Sequence, residues 1–98
     1  MPLNLCVPDS ITAIRTEMYL GRGASAQTLA RIEALIHRFP ESPDLWVLRG
    51  DAIQLSDGTG PTLAEARKSY ERALAIDPSH REAADEIREF DEMHGPVS

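Results

Sequence analysis

PDLWVLRGDAIQLSDGTGPTLAEARKSYERALAIDP, residues 43–78, divides into two helical patterns around a polar turn. In the first, over 43–55, Leu45, Leu48, Ala52 and Leu55 recur along one side, with Trp46 and Ile53 on another. In the second, over 63–76, the apolar positions are Leu63, Ala66, Tyr70, Ala73 and Leu74. Both follow the three-to-four-residue spacing of a helix with one buried face. Ser42-Pro43-Asp44 reads as an N-cap, a proline at the first helical position and an acid facing the helix dipole. Thr62-Leu63-Ala64-Glu65 fits a capping box, in which two side chains satisfy two orphan amides. Gly58 and Gly60 fall where the first helix must stop. Pro78 closes the second and pushes Asp77 out of helical geometry.

Working outward, three more stretches show the same period. Residues 10–20 carry Ile11, Ile14 and Met18. Residues 25–38 carry Leu29, Ile32, Leu35 and Ile36, followed by Phe39. Residues 80–93 carry Ala83, Ala84, Ile87 and Phe90. Ser79-His80-Arg81-Glu82 fits a second capping box, and Gly21, Gly23 and Gly95-Pro96 mark helix ends. Connections of about two to six residues predict antiparallel neighbours. Ile32 and Leu35 precede Pro40 by the same eight and five residues that separate Tyr70 and Ala73 from Pro78. A helix pair punctuated by proline is therefore used more than once, and a period near 34 is that of a helical solenoid.

At these positions the chain resembles the tetratricopeptide repeat family. Trp46, Gly50 and Ile53 fall at that family's places on the first helix of a pair. Ala66, Tyr70, Ala73 and Pro78 fall at those on the second. Small Gly50 and Ala66 let two helix backbones approach closely, with Trp46, Tyr70 and Leu74 filling the space around them. Three departures stand out. Gly50 and Pro78 are 28 residues apart, about four more than usual, which enlarges the turn at 56–61. Arg49 stands where leucine is usual. Residues 10–40 match through Tyr19, Ile32, Leu35 and Pro40, but Thr16 and Thr28 occupy small-residue places. The last helix, studded with Glu82, Asp85, Glu86, Glu89, Asp91 and Glu92, reads as a solvated cap.

The resemblance implies an all-α fold of antiparallel helix pairs, five helices stacked as a short right-handed solenoid. It forms one domain: a divergent repeat at 10–40, a well-matched one at 43–78 and a capping helix at 79–93. It further implies that the first helix of each pair lines a concave groove for a peptide or helix of another protein. Carried over residue by residue, that lining is Ala13, Glu17 and Leu20, then Val47, Asp51, Gln54 and Leu55, then Asp85, Glu89 and Glu92. The partner-binding candidates are therefore Glu17, Val47, Asp51, Gln54, Leu55, Asp85 and Glu89. Val47 and Leu55 are either apolar anchors, core residues or part of a homodimer contact. An acidic groove repels the terminal carboxylate that some members of the family hold with Lys, Arg and Asn. A basic or neutral peptide is the better ligand.

Composition narrows the function further. The 98 residues carry a net charge of −6. Residues 1–61 hold 5 basic and 7 acidic side chains, and residues 62–98 hold 5 and 9. Nucleic acids and anionic membranes require a basic face, so neither is expected as partner. The acidity either selects a basic partner or only keeps the protein soluble. No apolar run reaches the ~20 residues of a membrane span. The start of the chain lacks the marks of a signal peptide, and a cytoplasmic location is expected. Cys6 has no second cysteine to pair with. His37, His80 and His94 form no His-Glu-x-x-His motif, and Asp91 with His94 makes at most a weak metal pair. Asp57-Gly58-Thr59-Gly60 lacks the lysine and preceding strand of a phosphate loop. No cofactor and no catalysis are expected. The function classes that remain are an adaptor, small chaperone or inhibitor, and, as the alternative, a homodimer formed through exposed solenoid ends.

Overall fold

The computed structural model describes residues 7–22, 26–56 and 63–94. It contains five α-helices: α1 (Val7–Glu17), α2 (Ala26–Arg38), α3 (Pro43–Leu55), α4 (Leu63–Ile76) and α5 (Arg81–His94). A π-helical turn, Met18–Arg22, extends α1. No strand occurs among the described residues. The bounds of α3 and α4 match those read from the sequence. α1 begins at Val7 rather than Ser10, because Pro8 lacks only an amide that a first turn leaves unpaired anyway. α5 begins at Arg81. Cys6, the 57–62 segment, Gly23 and Gly95-Pro96 lie outside the described residues.

From α2 to α5 neighbouring helices run antiparallel. Arg49 of α3 reaches back to Glu33 of α2 at 3.3 Å and forward to Ser69 of α4 at 2.6 Å. Further toward the α3 N-terminus, Trp46 meets the later Arg72, whose guanidinium lies 5.9 Å from the ring centroid. Arg67 of α4 forks onto Asp91 of α5 at 3.0 and 3.1 Å. Such close stacking is what short connections between helices impose.

α3 lies at the centre, and its residues feed two hydrophobic clusters. Leu45, Leu48 and Ala52 pack with Ile11, Ile14, Met18, Ile32 and Ile36. Val47 and Ile53 pack with Ala66, Tyr70, Ala73, Ala83 and Phe90. Trp46 and Leu29 touch both clusters, and the Trp46 indole donates to the Pro40 carbonyl at 3.0 Å. A helix buried on both sides needs apolar residues nearly all round, which is why 43–55 showed two apolar faces instead of one.

The closest approach is at Gly50. A Cβ there would lie 2.5 Å from Cε1 and 2.6 Å from Cζ of Tyr70. Tyr70 is wholly buried, so the ring has nowhere to retreat. Ala66 and Ala73 are also fully buried, and their small side chains let α4 lie against α3. Arg49, the departure from leucine, is a part-buried strut joining α2, α3 and α4 through Glu33, Ser69 and Glu65.

Two caps differ from the sequence reading. Ser42 has the extended backbone of an N-cap and precedes Pro43, but its hydroxyl makes no capping bond. At α5 the cap is not Ser79. The His80 Nδ1 accepts the Ala83 amide at 3.1 Å, and its Nε2 therefore donates to Asp44 at 2.6 Å. Ser79 instead donates both its amide and its hydroxyl to Asp77, at 3.1 and 2.8 Å, which holds that carboxyl below the usual carboxylate range.

Candidate functional site

α1, α3 and α5 meet on one side of the molecule. Arg15 of α1 pairs with Glu82 of α5 at 3.5 Å, and Asp51 of α3 lies beneath them, only 6% exposed. Two open recesses flank the Arg15–Glu82 pair. One, of about 450 Å³, is lined by Arg81, Glu82, Asp85, Glu86 and Glu89. The other, of about 430 Å³, is lined by Thr12, Arg15, Thr16, Tyr19 and Leu20.

The floor between α3, α4 and α5 is a polar chain. Gln54 donates to the Tyr70 hydroxyl at 2.6 Å, and that hydroxyl donates to Asp51 at 2.7 Å. Glu86 hydrogen-bonds the same Asp51 carboxylate. Burial, the bond to Asp51 and the Asp51 charge push the Glu86 carboxyl up to about 8, with smaller contributions from Glu89 and Glu82. Glu86 is thus the protonated donor of the pair at neutral pH. Burial first, and Asp51 second, drive the Tyr70 phenol far above its ordinary range. Tyr19 is raised by burial and then by Asp51 and Glu86, which places its hydroxyl within reach of the same negative field.

Carboxylate oxygens of Asp51, Glu82 and Glu86 lie within 4.8 Å of one another, as do ligand atoms of Asp44, His80 and Glu82. Either group has the spacing to gather a cation. In each, however, internal partners already hold members: Tyr70 on Asp51, Arg15 on Glu82, and His80 on Asp44. Asp91, the sequence candidate for a weak pair with His94, is engaged by Arg67.

The structure brings together part of the lining read from the sequence. Leu20, Asp85 and Glu89 border the recesses, whereas Asp51 lines neither and is buried within 4.8 Å of the Glu82 and Glu86 carboxylate oxygens. Val47 is wholly buried among the residues around Tyr70, so of its expected places it occupies the core. Gln54 is half-buried and bound to Tyr70. Leu55 is 41% exposed at the end of α3 and borders neither recess. Glu17 departs from the expected position. It pairs with Arg31 of α2 at 2.9 Å, and the α1 recess is lined by Thr12, Arg15, Thr16, Tyr19 and Leu20, without Ala13 or Glu17. Glu82 and Glu86 were not among the candidates. The available signal was their spacing: Glu82, Glu86 and Glu89 form an i, i+4, i+7 stripe beside the Ala83, Ile87 and Phe90 face.

With that geometry established, the class is an all-helical protein of stacked antiparallel helices. Over 64 residues, 65% of this chain, the sequence is 36% identical to tetratricopeptide repeat protein 7B of Homo sapiens. The chain spans 7% of the length of that relative. This likeness and the five-helix fold are compatible with a tetratricopeptide-like repeat. No protein-family model matches the chain, and no solved structure matches it. No helix of the described residues is long and apolar enough to cross a membrane.

Proposed function

We propose that this chain is a non-catalytic protein-binding module of the tetratricopeptide type. Its α1/α3/α5 face takes a basic or neutral segment of another protein. The observation that carries this reading is the acidic stripe Glu82, Glu86 and Glu89 above the buried Asp51. Among the described residues no basic side chain forms an ion pair with Glu89, so with Glu86 holding its proton at neutral pH the outward charge of the stripe is that of Glu89 and, shared with Arg15, of Glu82. The likeness to a tetratricopeptide repeat protein supports the same use of the face. In this reading 10–40 and 43–78 are the two hairpins of one right-handed stack and 79–93 is its cap. The module serves as an adaptor, small chaperone or inhibitor.

Glu86, beside Asp51, has the kind of raised acidity that acid–base chemistry uses. We assign them a structural role, since Asp51 is buried and already bound by Tyr70, and the two carboxyls face one another instead of a shared substrate position. A second reading, self-association, draws on the exposure of Tyr19 (61%) and Leu20 (73%) at the end of the α1 extension.

A panel of synthetic peptides graded in net charge, titrated at low and at high salt, tests the main reading. Basic peptides are expected to bind at low salt and to weaken roughly tenfold or more at high salt. Equal binding of acidic peptides would remove the proposal.

A further inference from the structure

The face described above is not uniformly acidic. The recess on α5 presents four acids and one base. The recess on α1 and its π-helical turn presents Arg15, two threonines and the exposed side chains of Tyr19 and Leu20, with no acid among them. Their shared boundary is a single ion pair, Arg15–Glu82 at 3.5 Å. Met18 is buried, and the two residues after it, Tyr19 and Leu20, fall off the buried stripe of Ile11, Ile14 and Met18. An aromatic and a leucine left consecutively in water beside an acidic recess are the two parts of a mixed contact: apolar area for affinity and charge for orientation.

We propose that the face is bipartite, with an apolar station at Tyr19 and Leu20 and a cation station at Glu82, Glu86 and Glu89. It selects segments of another protein in which a large apolar residue lies close to Lys or Arg. The inference rests on the groove reading above and adds the pattern of the ligand. Charge complementarity sets which part goes where. A Lys or Arg directed at the α1 recess meets Arg15 and no acid, and one directed at the α5 recess meets four acids, of which Glu86 holds its proton at neutral pH, against the single base Arg81. The apolar side chain covers Tyr19 and Leu20, as interface anchors do when they fill a recess rimmed by polar groups. The Arg15–Glu82 pair stays at the rim between the stations, where partial exposure keeps its worth small.

Three capped synthetic peptides provide the probe. One carries a leucine and a phenylalanine beside a Lys-Arg cluster, one has serines in the apolar places, and one has serines in the basic places. Each is made in both sequence orders. Binding is read by fluorescence anisotropy at two salt concentrations against the full chain and its Leu20→Ser and Glu89→Lys variants, with helical circular dichroism as the folding check. Both substitutions are at exposed positions, so the fold should persist.

The two-part peptide is expected to bind roughly tenfold tighter than either single-part peptide. Leu20→Ser should cancel the gain from the apolar residues and leave the salt dependence intact. Glu89→Lys should flatten the salt dependence and leave the apolar gain intact. If the basic-only peptide matches the two-part peptide, the bipartite proposal falls while the groove reading stands. If no peptide binds at low salt, both fall. If sedimentation shows a dimer that Leu20→Ser disperses, a second copy covers the apolar station and the proposal is overturned.

Discussion

The two clusters on either side of α3 are built by different means. The one toward α1 and α2 is assembled from Ile, Leu, Met and Ala, and Trp46 packs at its edge. The one toward α4 and α5 is organised around a single buried tyrosine, set against Gly50 on one side and tied through its hydroxyl to Asp51 and Gln54. Aliphatic packing asks mainly for volume and tolerates exchange of one branched side chain for another. A ring pressed on a glycine, with directional bonds at its tip, admits few substitutes. The second cluster dictates particular residues, whereas the first dictates only a pattern.

Removing the tyrosine should break the contrast most severely. Tyr70→Ala empties the centre of one cluster and leaves buried Asp51 without one of its two donors, so a loss of about 3–5 kcal/mol is expected. For a domain whose total stability is of order 5–15 kcal/mol, chemical denaturation should show a midpoint moved far toward zero denaturant. Gly50→Ala comes next. Better helix propensity contributes about 1 kcal/mol in its favour, but the new methyl group meets Tyr70 at 2.5 Å. A net loss of about 1–3 kcal/mol by urea denaturation is expected. In the aliphatic cluster Ile14→Val, at an equally buried site, should cost only about 0.5–1.5 kcal/mol. If Gly50→Ala proves milder than Ile14→Val, the two clusters are not distinguished by close contact at all.

The same contrast governs what could be read from the chain alone. Helix bounds at 43–55 and 63–76 were legible because proline, glycine and small-residue punctuation is dense there. The start of α1 was not, since Pro8 fits a first turn as readily as a preceding loop. The α5 cap was missed because His80 does the work usually done by serine, and nothing local reveals that Asp44, 36 residues earlier, orients its ring. The candidate groove was legible as an acidic face but not in its rotation. A change of one residue on α1 turns the face by about 100°, and only the Arg15–Glu82 pair shows that the recess of Thr12, Arg15, Thr16, Tyr19 and Leu20 is the one beside α5. Glu86 lay hidden because it adjoins the apolar stripe of α5. Its burial beside Asp51 depends on where α3 passes.

Glu86 gives the polar cluster a pH signature that the aliphatic one lacks. Its carboxyl titrates near 4.5 in an unfolded chain and at about 8 in the folded protein. Between those values the folded state keeps a proton that the unfolded state has lost. The stabilisation is complete below about 4.5, declines as pH rises, and is gone above about 8. Because Glu86 is only part-buried, solvent screening reduces the effect, and a fall of a few degrees in Tm between mildly acidic and mildly alkaline pH is expected. Glu86→Gln, which keeps a donor for Asp51 and cannot ionise, should flatten that slope. A variant whose Tm tracks the parent at every pH would show that the Asp51–Glu86 contact does not tie α5 to α3.

The smallest effect is expected where the sequence departs most visibly from the pattern it resembles. Arg49 stands in a leucine position, yet it is 15% exposed and touches Glu33, Ser69 and Glu65 across three helices. Its stem fills space much as leucine would, and its charge sits where water still screens two of its three partners. Ser69 does not depend on it alone, because that hydroxyl also donates to the Glu65 carbonyl at 3.1 Å. Replacing a charged strut by an apolar side chain that packs is commonly neutral or mildly stabilising. Arg49→Leu is therefore expected to change stability by less than about 1 kcal/mol in either direction, and to lower the sensitivity of Tm to added salt. A loss as large as that of Gly50→Ala would mean that Arg49, and not the Gly50–Tyr70 contact, sets the angle between α3 and α4. The division between a cluster ruled by one ring and a cluster ruled by volume would then have to be redrawn around a charge.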